Sequence, residues 1–139
     1  MEIIQRFNAS LSSLYDDKLP VSKAKISEIT KTAINGIRVY KHIVQSVERF
    51  IHKCRPEYKL PALYVIDSIV RHSQHEFKNS KERDLYGQRF NRNLQQTFQQ
   101  LFSTCLPEDK VSQNECFYLF TYLIYFSFLF FQSQKLYGF

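Results

Sequence analysis

Apolar residues return every three or four positions through most of this 139-residue chain, and each such run stops at a proline, an Asn-Gly pair or a charged stretch. Ile3, Phe7, Leu11 and Leu14 predict a first helix, which "YDDKLP" (15–20) interrupts. A second begins at Ser22 and carries Ile26, Ile29, Ala33 and Ile34 as far as Asn35-Gly36. Ile37, Tyr40, Val44, Val47 and Ile51 predict a third helix running to Cys54, with Pro56 closing it. Pro61, a residue favoured in a first turn, opens a fourth that fades into the polar "HEFKNSKERD" (75–84). Leu85, Phe90, Leu94, Phe98, Leu101 and Phe102 then predict one short and one longer helix, up to "CLPEDK" (105–110). Nothing alternates as a strand would. The expectation is an all-α fold whose short connections stack neighbouring helices into a bundle or a superhelix.

The fourth helix carries a polar interruption. At about 100° per residue, Ala62, Leu63, Val65, Ile66, Ile69 and Val70 fill one side, while Tyr64, Asp67, Ser68 and Arg71 gather on the other. Two readings fit that face. Asp67 and Arg71, four apart, form a surface ion pair worth a few tenths of a kcal/mol. Alternatively the four residues make a recognition strip, in which a ring beside a hydrogen-bond acceptor suits a peptide bringing its own ring and hydroxyl.

The second helix starts with the wrong charges for its dipole. Ser22 is a good N-cap, and Val21 can pack on Ile26 as a hydrophobic staple. Lys23 and Lys25 nevertheless occupy the first turn, where anions are favoured and a Glu at position 25 would complete a capping box. Unpaired backbone amides, the Ser22 hydroxyl and these lysines, with Lys18 from the preceding loop, compose a phosphate seat. Solvated lysines on a basic surface are the plainer reading.

Charge sharpens the second possibility without deciding it. The chain carries a net charge of +6, and residues 1–110 hold 18 Lys+Arg against 12 Asp+Glu. A basic domain fits an anionic partner such as nucleic acid, a phosphoprotein or an acidic membrane. Cys54, Cys105 and Cys116 lack the spacing of a zinc site and read as reduced thiols of an intracellular protein. The N-terminus has no signal-peptide pattern. An enzyme is not expected: there is no glycine-rich phosphate loop, nucleophile elbow or metal-ligand cluster, and His72 and His75 stand alone.

Three separated stretches carry a family likeness: "FNASLSSLYDDKLP", "PVSKAKISEITKTAI" and "VYKHIVQSVERFIHKCRPEYKLPALYVIDSIVR". In order and spacing they resemble the CTD-interacting domain of the SR-related CTD-associated factors. The resemblance covers about residues 1–110 and implies a right-handed superhelical bundle of helices, related to the ENTH and VHS adaptor domains. It also implies a groove for the phosphorylated C-terminal heptad repeats of RNA polymerase II, linking transcription to mRNA processing or termination. Carried over, Asp67 would accept a hydrogen bond from the repeat's tyrosine, with Tyr64 and the Ile66/Val70 region packing nearby. Lys18, Ser22, Lys23 and Lys25 would face phosphoserine. The implied protein is a nuclear monomer with no cofactor, no membrane association and no direct nucleic-acid contact of its own. An ENTH/VHS-like adaptor for acidic lipids or sorting peptides is the alternative.

Beyond Lys110 the resemblance stops. Of the chain's 22 aromatic residues, 11 fall in residues 111–139, and Phe117 to Phe131 is apolar all round. At 15 residues that run is shorter than the ~20 needed to cross a bilayer, and a re-entrant or buried core segment fits its length better. Val-Ser after Lys is what a translated splice donor encodes, and a Phe/Tyr/Leu-rich tail is what T-rich intron sequence encodes. The tail is therefore expected to be intron-derived and to replace the family's last helices.

Overall fold

The structure, a computed structural model, describes residues 2–16, 18, 21–93, 96 and 97. Among these residues there are five α-helices and no strand: α1 (Glu2–Ser12), α2 (Lys23–Asn35), α3 (Tyr40–Lys53), α4 (Lys59–Glu76) and α5 (Leu85–Arg92). Short 3₁₀ turns join them at Ser13–Asp16, Ile37–Val39, Pro56–Tyr58 and Lys81–Asp84. The longer helix expected after Leu94 and the aromatic tail lie outside the described residues.

The boundaries follow local chemistry. Helix α4 starts at Lys59, before Pro61, because the Pro56–Tyr58 turn already winds the chain and hands its last carbonyls to the helix. Pro61 still sits in the first turn, where its missing N–H has no intrahelical acceptor to lose. At the end of α3 the buried Lys59 ammonium donates to the Ile51 carbonyl at 2.6 Å, placing a cation on the negative end of the helix.

Helix α4 is the centre of the packing. It lies against α2, α3 and α5, while α1 packs on α2 and α3. All six apolar residues assigned to its inner side are buried, as are Phe7, Leu11, Ile29, Ala33, Ile43, Val44 and Val47 from its neighbours. Burial of each such side chain contributes about 1.5–3 kcal/mol, and contact with three helices explains why the inner arc is so wide.

Gly36 does more than end α2. A Cβ there would lie 2.6 Å from Ile43 Cδ1 and 2.9 Å from Ile3 Cγ2, so α1 and α3 close over the bare backbone. Ile43 is fully buried and has nowhere to retreat. Gly36→Ala is expected to destabilise the fold by about 1–3 kcal/mol, measured by urea unfolding. A loss below a few tenths would mean that the packing here yields easily.

Candidate functional site

The outer face of α4 and the start of α2 share one pair of packed helices. Tyr64 is 40% exposed. Asp67 accepts a hydrogen bond from Arg71 Nε at 2.9 Å, and their side chains differ sharply in exposure, 13% for Asp67 and 49% for Arg71. The carboxylate is thus sheltered under an arginine that reaches into solvent. Ile66 and Val70 are buried beneath this face and support it rather than line it.

Ser68 points toward α2. Its hydroxyl lies 2.7 Å from Thr30 Oγ1, which itself donates to the Ile26 carbonyl at 2.7 Å, so Ser68 is the donor between them. His72 Nδ1 is 2.8 Å from the Ser68 carbonyl, which can only accept, so that nitrogen carries the proton. The same nitrogen also lies 3.4 Å from the Ser68 hydroxyl oxygen, so His72, Ser68 and Thr30 donate in sequence, and the buried member, Thr30, is 2% exposed. Ser68 therefore fixes the spacing of the two helices instead of offering its hydroxyl outward.

At the start of α2, Ser22 is extended and its side chain accepts from the Lys25 amide at 3.2 Å. Val21 and Ile26 both pack against the core, as a staple requires. No acidic residue occupies the first turn. The amides of Lys23 and Ala24 have no acceptor within the helix and point out along its axis. Lys18, Ser22 and Lys23 are exposed and Lys25 is half-buried. From Thr30, which meets Ser68 of α4, back to Ser22 is eight residues, about 12 Å along the α2 axis.

The described residues offer little for catalysis. No group of three His, Cys, Asp or Glu side chains could hold a metal ion. Burial pushes the Cys54 thiol above its ordinary range, despite the opposing ammonium of Lys59, so a thiolate nucleophile is disfavoured there. No described helix is long and apolar enough to cross a membrane.

The CID domain family model matches residues 5–126, which is most of the chain and runs past Lys110 into the aromatic tail. The chain belongs to the CID domain family. Human "SR-related and CTD-associated factor 8" is 56% identical over 110 residues, 79% of this chain and 8% of that protein. Human "SR-related and CTD-associated factor 4" is 54% identical over 110 residues, again 79% of this chain, and 9% of its own length. "Rpb7-binding protein seb1" of Schizosaccharomyces pombe is 33% identical over 82 residues, 59% of this chain and 13% of that protein. This CID domain thus spans under a tenth of the length of the SR-related factors it matches.

Proposed function

We propose that this CID domain is a binding module for the phosphorylated C-terminal heptad repeats of RNA polymerase II, acting as a monomer in the nucleus. One observation carries the reading: a sheltered carboxylate beside an exposed tyrosine ring on α4, packed against a helix whose start is acid-free and lysine-bearing. The names of the relatives at 54–56% identity, CTD-associated factors, favour the same partner.

The roles divide by chemistry. Asp67 accepts the hydroxyl of the repeat's tyrosine, because a carboxylate already bonded to Arg71 retains further acceptor positions. Tyr64 packs on the incoming ring, and Arg71 holds the carboxylate in place. Ser68 sets the seam width through Thr30. Lys18, Ser22, Lys23 and Lys25 hold a phosphoserine, whose roughly −1.5 to −2 charges meet both the ammonium groups and the first amides of α2. Residues 1–110 supply this surface, and the tail from Val111 is read as translated intron, although the family model runs on to residue 126. An abundant uninterrupted message across codon 110 would overturn that last statement.

The test is a titration of the 139-residue chain with phosphorylated and unphosphorylated heptad peptides, alongside flotation with acidic vesicles. Phosphorylation is expected to tighten binding by about tenfold or more, with no flotation at physiological salt. Equal affinity for both peptides, or strong flotation without peptide binding, favours the lipid-adaptor reading instead.

A further inference from the structure

We propose that the face shared by α3 and α5 is a second binding surface, a cationic groove that takes single-stranded nucleic acid. Three cavities of about 380, 350 and 400 Å3 lie along it. The first two share Gln45, Glu48 and Asn93, and the second and third share Lys41 and Arg89, so they adjoin one another along the face. A run of linked hollows suits a linear ligand better than a compact one.

The lining is strongly one-signed. Lys41, Arg49, Lys53, Arg89 and Arg92 face it, against the single carboxylate of Glu48. Glu48 offsets only part of their charge. It is bonded to the Asn93 side-chain amide at 2.9 Å, and burial pushes its carboxyl upward against the pull of Arg89 and Arg92. Amide side chains and flat rings interleave the cations: Gln45, Gln88, His42 and Tyr40, whose ring lies 6.0 Å beneath the Lys41 ammonium. Amides read base edges and rings stack on bases, which is how proteins hold unpaired strands. A purely acidic peptide would use the cations and leave these groups idle.

The scale also fits. From Lys41 to Lys53 is about 18 Å along α3, enough for roughly three to five nucleotides of one strand. The groove is separate from the peptide seam, since α5 packs on α3 and α4 whereas α2 packs on α1 and α4, and no lining residue is shared. The inference is therefore independent of the peptide-binding reading.

The probe is a fluorescent oligouridine of about 12 nucleotides, with an oligothymidine of equal length, titrated into the 139-residue chain at several salt concentrations. Lys41→Glu with Arg89→Glu is expected to weaken binding by about tenfold or more and to flatten the log–log salt dependence by about 1.4. Glu48→Gln is expected to tighten it about two- to threefold, by removing the one like-signed charge in the groove. Lys41→Gln with Arg92→Gln, both at exposed positions, gives the same direction without charge reversal. All variants should keep the parent circular dichroism and bind heptad peptide within about twofold of it. The proposal is overturned if the parent binds neither oligonucleotide at low salt, or if the substitutions leave binding unchanged. It is equally overturned if polyglutamate of matched charge displaces the strand as well as unlabelled oligonucleotide does.

Discussion

Tyr86→Ala is expected to lower the stability of this CID domain by about 3–5 kcal/mol, as removal of a large buried aromatic does. Tyr86 has no exposed surface. Its ring stands edge-on to Tyr40, at 6.3 Å and 87°, and stacks on Phe90 at 6.3 Å and 27°. Its hydroxyl donates to the Ala33 carbonyl at 2.6 Å, tying α5 to the last turn of α2. Alanine would remove both ring contacts and the link at once. Domains of this size are stable by only about 5–15 kcal/mol, so the loss could consume half of the total. Tyr86→Phe separates the two contributions. The Ala33 carbonyl still accepts from the Gly36 amide at 3.1 Å, so the phenylalanine variant should lose only about 0.5–1.5 kcal/mol. Urea unfolding of both variants checks this, and an alanine variant losing under about 1 kcal/mol would show that α5 is not part of the cooperative core.

The fold was legible wherever one helix face met the core. Helix α4 shows this best: a 100° wheel sorts six buried residues from an exposed Tyr64, because burial there depends only on angle. Ser68 escapes that logic. It sits at the edge of the arc, and where its hydroxyl goes depends on Thr30, 38 positions away. A signal existed for Thr30, which lies four residues after Ile26 and three before Ala33, on the apolar stripe of α2, where a hydroxyl needs a partner. Lys59 left no comparable trace, since its acceptor is brought near only by the Pro56–Tyr58 turn. The α3–α5 cations are spread from Lys41 to Arg92, so no local run of charge marks them, and only packing assembles the groove. The cationic start of α2 was readable because cap and charges are adjacent in the chain.

That helix start yields a result in which stability and binding should move in opposite directions. Lys25 is the third residue after the Ser22 cap, and its amide is the one Ser22 already holds. Lys25→Glu therefore completes a capping box and puts an anion where the helix dipole favours one, adding about 0.5–1 kcal/mol to stability. The same change sets a negative charge against phosphoserine and should weaken a phosphorylated heptad peptide by at least about tenfold. Misfolding cannot then explain the loss. Asp67→Asn keeps the shape on α4 but gives up the charged acceptor, so it should cost about tenfold for phosphorylated and unphosphorylated peptide alike. The two positions lie on different helices and their hydrogen bonds go to different partners, so their effects should add, to about a hundredfold in the double variant. Acidification divides them further. Phosphoserine loses its second charge near pH 6, so the penalty of Lys25→Glu should shrink as pH falls through about 6, while the tyrosine hydroxyl is untouched. Calorimetric titration of the four proteins at two pH values reads all of this. A Lys25→Glu variant that melts higher yet binds phosphopeptide as the parent does would remove the phosphate from the start of α2.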